Sequence, residues 1–154
     1  MIPAFRICAT RYSPTAFSGE GAKIAGGRWN SAGLPVVYCS SSLSLATLEI
    51  LVHLEEPEIL AHHFSFFEVG IPKELIETLN PAKLPPGWRA ETTFPQTSAL
   101  GDAWIRSMKS AVLSVPSAVT PGEVNFLLNP RHPDFGKIRI GEMQRFEPDP
   151  RLAG

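Results

Sequence analysis

The chain opens on an alternating pattern. In "PAFRICA" (3–9), Phe5, Ile7 and Ala9 fall on one face and Ala4, Arg6 and Cys8 on the other, the period of two that marks a short strand. Thr10 to Pro35 holds many glycines and reads as a long loop, and "PVVYCS" (35–40), rich in β-formers, predicts the next strand. "SSLSLATLEILVHLEE" (41–56) predicts a helix, with serines at its start as N-caps and Pro57 just past its end. "AHHFSFFEVGI" (61–71) reads as a strand and "PKELIETL" (72–79) as a short helix with proline at its first position. "QTSALGDAWIRSMKSA" (96–111) predicts a third helix, amphipathic through Leu100, Trp104 and Met108. "VLSV", "EVNFLLN" and "KIRIG" complete the pattern as strands.

Strands outnumber helices, and the long connections argue against successive parallel βαβ units. The fold class is therefore α+β. Prolines concentrate in the second half, where "NPAKLPPGW" and "NPRHPDFG" read as rigid connections rather than linkers. No repeat or boundary interrupts residues 1–154, which are expected to form one domain.

Composition narrows the function classes. A hydrophobic content of 44% with 19% charged residues fits a globular domain with a proper core. A formal net charge of −1 with no basic run leaves no electrostatic footprint for nucleic acid. No stretch reaches the length of a membrane span, and "MIPAFRICATRY" lacks the regions of a signal peptide. Cys8 and Cys39 have no metal-ligand spacing, so a reducing cytoplasm and packing as small apolar residues are expected.

Glu49 is the most informative residue. Its segment is otherwise almost wholly apolar, and Leu45, Ala46, Val52 and His53 are its helical neighbours. A carboxylate on such a face needs compensation, from a nearby arginine or a functional reason to keep the charge, unless that helix edge is wet. Arg6 is the only charge in an apolar strand, where it could equally pack its stem on the core. Arg28, in "GGRWN", follows two glycines that let the backbone approach another group closely, and its fork suits an anion such as phosphate. Tyr38 among valines is a core aromatic or a ring face for a ligand, and Ser117 in "VPS" a turn residue or a hydrogen-bond donor.

Familiar constellations are missing. Ser117 lacks the glycines of a nucleophile elbow, and neither cysteine has a histidine partner suggested by the sequence. His62 and His63 are adjacent and would point to opposite faces of a strand, so no metal is expected. The glycines fit neither a Walker loop nor a dinucleotide fingerprint. What remains is two arginines, a tyrosine, a glutamate and a serine, in that chain order. Two cationic forks suit a diphosphate, a carboxylate suits developing positive charge, and an aromatic face suits a flat cationic ring. A molecule carrying all three features is NAD+, as substrate rather than resident cofactor.

These residues also carry a family resemblance. "FRI", "FSGEGAKIAGGRWNSAGLPVVYCS", "LATLEILVHL", "LPPGW", "LGDAWI", "SVPSAV", "EVNFLLNPRHPDF" and "DPRL" occur in an order and spacing that resemble the RES-domain toxins of bacterial toxin–antitoxin pairs. Pro148 in "FEPDPRL" is one departure. The resemblance implies a single α+β domain like the ADP-ribosyltransferases, acting on NAD+. It places the family arginines on Arg6 and Arg28, the tyrosine on Tyr38, the glutamate on Glu49 and the serine on Ser117. Arg6, Arg28 and Tyr38 are expected to bind NAD+, and Arg28, Tyr38, Glu49 and Ser117 to act in catalysis. It implies cleavage of the nicotinamide–ribose bond, as glycohydrolase or phosphorylase, and an Xre-like antitoxin that covers the site. An ADP-ribosyltransferase modifying a protein target and a non-catalytic NAD-binding domain stand as alternatives.

Overall fold

Two eight-residue strands form the spine of the molecule, β1 (Ile2–Ala9) and β3 (Phe64–Ile71), paired antiparallel from Ile2↔Ile71 to Ala9↔Phe64. The computed structural model describes residues 1–56, 59 and 62–153. β2 (Val37–Ser40) meets β1 at the single aligned pair Phe5↔Ser40. From β2 the sheet continues through β6 (Val124–Leu128) and β5 (Val112–Pro116) to β4 (Ile76–Thr78). β7 (Arg139–Ile140) and β8 (Gln144–Arg145) share the outer edge of β3. Among the described residues every strand pairing is antiparallel except β4 with β5. The fold is α+β, built on one mixed sheet.

Register decides which side chains meet. Phe5 lies opposite Ser40, Ser40 opposite Asn125, and Asn125 opposite Val115, so these residues share a face with Tyr38, Leu127 and Leu113. α2 (Leu43–Leu51) packs Ala46 with Ile7 and Phe64 at one end of that face. α3 (Phe94–Ser107) packs Trp104 and Ile105 with Leu113, Val115 and Leu127 at the other. Ala4, Val37, Cys39, Val69, Val112, Phe126 and Leu128 form the core on the opposite face. Full burial of one Leu or Val side chain is worth roughly 1.5–3 kcal/mol. The centre of the sheet is thus a rigid platform for whatever stands at its rim.

Several elements depart from the sequence pattern. The loop from Thr10 to Pro35 contains a 3-10 turn, Thr10–Thr15, and a short helix α1, Glu20–Ala25, which Gly26 ends with φ 71°. The helix expected over 72–79 is a 3-10 turn, Lys73–Leu75, followed by β4. Its apolar residues Leu75, Ile76 and Leu79 have helical spacing, but Ile76 pairs with Val112 on the sheet edge, and tertiary pairing outweighs local pattern. One parallel βαβ unit, β4–α3–β5, results. The helix expected over 41–56 is confined to α2, capped by Ser42, whose Oγ accepts from the Leu45 N–H at 3.0 Å. Pro57 and Ala61 lie outside the described residues. His62 and His63 sit in a turn before β3 rather than within a strand. The third helix ends earlier than residue 111, where Met108 turns left-handed with φ 55°. Of "KIRIG" only β7 is strand, and β8 has no counterpart in the sequence reading. Among the described residues no helix is long and apolar enough to cross a membrane.

Candidate active site

Glu49 points from the last turns of α2 toward the ends of β5 and β6. Its Oε2 accepts from Ser117 Oγ at 2.7 Å and from Asn125 Nδ2 at 2.6 Å. Ser117 is 2% exposed and its Oγ also accepts the N–H groups of Val119 and Thr120, at 3.1 and 3.0 Å. With its lone pairs engaged by main-chain donors, the hydroxyl hydrogen is committed to Glu49. Behind Asn125, the Ser40 hydroxyl bonds Asn125 Oδ1 at 2.7 Å. Oε1 of Glu49 has no hydrogen-bond partner among the described residues.

Of the readings open for Glu49, the wet helix edge is the one this geometry favours over a paired arginine. Among the described residues no arginine or lysine lies within salt-bridge distance of Glu49. Two neutral donors hold the carboxylate, and the helix edge is wetter than its apolar sequence suggests, with Leu48 and Val52 exposed. Hydrogen bonds to the ionised form replace much of the lost hydration.

Arg28 stands near by on the loop after α1. Its Nη1 donates to the Trp88 carbonyl at 2.6 Å and its Nη2 to the Arg89 carbonyl at 3.0 Å. The guanidinium lies 4.7 Å from the Phe94 ring centroid, over its face. Burial lowers the Arg28 pKa, while the charges of Glu49 and Glu91 oppose that shift. The strap that holds Arg28 also reaches the Glu49 partner: Arg89 Nε donates to the carbonyl of Ala118, next to Ser117. The Arg28 guanidinium remains charged, with only part of its donor set used.

Tyr38 fixes that loop. Its hydroxyl donates to Asn30 Oδ1 at 2.6 Å and accepts from the Trp29 N–H at 3.2 Å. Burial pushes the phenol pKa well up, so the hydroxyl stays protonated and able to donate. Asn30 is 1% exposed, and its Nδ2 donates to the carbonyls of Ala22 and Leu34. A Cβ at Gly27 would stand 2.9 Å from the Tyr38 hydroxyl, which is why the residue before Arg28 is a glycine. A Cβ at Gly101 of α3 would fall 1.6 Å from the Trp29 carbonyl oxygen. The next residue of α3, Asp102, accepts from the N–H and hydroxyl of Ser31 at 2.8 and 2.5 Å. "GGRWN" and "LGDAW" are thus two sides of one joint.

Arg6 is the residue set apart. It leaves β1 beside Ala4 and Cys8, on the face away from α2. Its Nε donates to the Ala16 carbonyl at 2.6 Å and Nη1 to the Tyr38 carbonyl at 3.0 Å. The guanidinium stands behind Tyr38, in the gap where β1 and β2 cease to pair. Cys8 and Cys39 are buried and free, and the Arg6 charge opposes the upward shift that burial imposes on both thiols.

The structure therefore brings Glu49, Ser117, Tyr38 and Arg28 to one rim and leaves Arg6 behind it. Asn125 and Arg89 are the residues the sequence reading missed. Asn125 carried a signal, since "EVNFLLN" places a polar residue two positions before buried Leu127, on the Tyr38 face. A cleft of about 740 Å³ lined by Arg11, His62, His63 and Met143 lies elsewhere and contains none of these residues.

Comparison with known proteins gives consistent matches. The profile of the RES domain matches residues 3–149. The Prs ADP-ribosylating toxin of Sphingobium sp. (strain YBL2) is 39% identical over 147 residues, covering 94% of this chain and 91% of that protein. Toxin Res of Photorhabdus laumondii is 41% identical over 143 residues, covering 93% and 90%. In the crystal structure of the M. tuberculosis MbcT–MbcA toxin–antitoxin complex, one chain is similar in fold, with TM-score 0.75 at 20% identity, over 98% of this chain and 86% of that one.

Proposed function

Since this chain belongs to the RES-domain family, we propose that it is the toxin of a toxin–antitoxin pair and that it cleaves the bond between nicotinamide and ribose in NAD+. The observation that carries the reading is the Glu49 carboxylate. One of its oxygens is held by Ser117 and Asn125, the other has no hydrogen-bond partner among the described residues, and Arg28 is anchored on the strap that reaches the Ser117 loop.

When the glycosidic C–N bond breaks, nicotinamide leaves neutral with the electron pair and the ribose C1′ becomes cationic. Glu49 Oε1 stabilises that charge or accepts from a ribose hydroxyl, and its preorganised hydrogen bonds spare it any reorganisation. Arg28 binds the diphosphate. Tyr38, whose hydroxyl is already engaged, offers its ring to the nicotinamide and holds the Arg28 loop in place. Arg6 acts from behind, where its two hydrogen bonds fix the Tyr38 strand and the turn at Ala16.

The acceptor of the ADP-ribosyl group is water or phosphate in this reading. The name of the Sphingobium relative favours a second one, transfer to a protein side chain. The M. tuberculosis complex supports an antitoxin partner, here expected to be Xre-like and to cover the rim. The test is incubation of purified protein with NAD+, with and without phosphate, following nicotinamide release and weighing the ADP-ribose product. Release with free product supports the hydrolase or phosphorylase, and mass added to a protein supports the transferase. No release and no modified protein would overturn both.

A further inference from the structure

The turn Pro85–Ala90 straps two parts of the rim together. It offers the Trp88 and Arg89 carbonyls to Arg28, and Arg89 Nε donates to the Ala118 carbonyl at 2.9 Å, next to Ser117. We propose that Arg89 supplies the second guanidinium of a diphosphate subsite, paired with Arg28, a role that rests on the NAD+ reading above.

Three observations converge on it. Arg28 Nη2 bonds the Arg89 main chain directly, so the two residues are in contact. Arg89 Nε is held on the Ala118 carbonyl, so its guanidinium stands on the Ser117 side of the strap whose carbonyls hold Arg28. Among the described residues neither arginine makes a salt bridge to a carboxylate. The carboxylates of Glu49 and Glu91 act on Arg28 only from beyond salt-bridge distance, so neither guanidinium has a bonded counterion, and a polyanion supplies one.

Position separates the candidates. Arg6 is tied to the Ala16 and Tyr38 carbonyls on the face of β1 away from α2, whereas Arg89 is tied beside Ser117. Arg89 is exposed, its Nε is anchored, and its two Nη groups have no partner among the described residues. One anchored edge holds the plane of the guanidinium while the other edge remains open to a phosphate. The alternative is that Arg89 only ties the strap to the Ser117 loop.

The experiment compares ADP and adenosine binding to the full chain by titration calorimetry, for the wild type, Arg89→Ala and Arg89→Gln. Glutamine keeps an amide donor for the Ala118 carbonyl but removes the charge. The expected result is a wild-type preference for ADP over adenosine that falls about tenfold or more in both variants, through weaker ADP binding alone. Equal loss for ADP and adenosine would mean a merely structural strap and would overturn the inference. So would unchanged ADP affinity, or a wild type with no preference for ADP. NAD+ cleavage is measured in parallel: a wild type that prefers ADP yet releases no nicotinamide sinks the proposed reaction and leaves the subsite standing.

Discussion

Asn125 and Ser117 donate to the same oxygen of Glu49, at 2.6 and 2.7 Å. Both donors come from the β5–β6 hairpin, Ser117 just past β5 and Asn125 within β6, more than sixty positions along the chain from the acid. A carboxylate held this way keeps one oxygen oriented and the other open, which suits a group meant to meet positive charge rather than deliver a proton.

Glu49→Gln keeps the shape and removes the charge. If Glu49 stabilises the cationic ribose, turnover of NAD+ should fall by at least about a hundredfold, equivalent to roughly 3 kcal/mol of lost stabilisation. The thermal midpoint should change little. Steady-state kinetics on purified protein decide it, and an unchanged kcat would remove Glu49 from the mechanism.

Asn125→Ala should act through Glu49. It strips one donor from Oε2 and leaves the Ser40 hydroxyl without its partner, at a cost of about 1–3 kcal/mol in stability. The loss in kcat should exceed the change in KM, because NAD+ is not expected to touch Asn125. Asn125→Asp should be worse for activity than Ala, since it places a second negative charge against the first. Denaturant unfolding and kinetics on the same preparations separate the two effects.

Gly101→Ala probes the joint beneath Arg28. The new Cβ would overlap the Trp29 carbonyl, so α3 or the Arg28 loop must shift. A loss of at least about 2 kcal/mol is expected in urea unfolding, together with a raised KM for NAD+. Gly21→Ala, where a Cβ meets nothing within 4 Å, is the control and should be near neutral.

Alkaline stability should depend on Cys39. Burial pushes its thiol from 9.0 up to about 12, and the folded state therefore holds a proton that the unfolded chain releases. The stabilising contribution is full below pH 9 and is lost as the pH rises from there toward 12, because the unfolded state then binds fewer protons. Unfolding free energies measured from pH 8 to 10.5 should fall less steeply in Cys39→Ala than in the wild type. Thiol reagents at pH 8 should modify Cys39 only after unfolding.

Much of this protein was legible along the chain wherever local pattern and tertiary role agree. β1, β2 and β3 alternate or run apolar because they are the buried spine of the sheet, and the Ser42 cap announces α2. Glu49 stood out because a charge in an apolar segment demands an explanation, and Arg28 because two glycines precede it. The sequence alone also established the family, through motifs whose order no single motif could supply.

Tertiary structure decided the rest. Within "PKELIETL", Ile76–Thr78 is a strand only because β5 is there to pair with it, and no local preference reports a partner more than thirty residues away. The direction each arginine takes follows from side-chain alternation and tertiary contact: β1 turns Arg6 to the face away from α2, while the turn carrying Arg89 bonds Arg28. Asn125 joins Glu49 because β6 pairs with β2 in a register that sets it opposite Ser40. Hydrogen bonds of this length are made across space, between residues the chain alone leaves far apart.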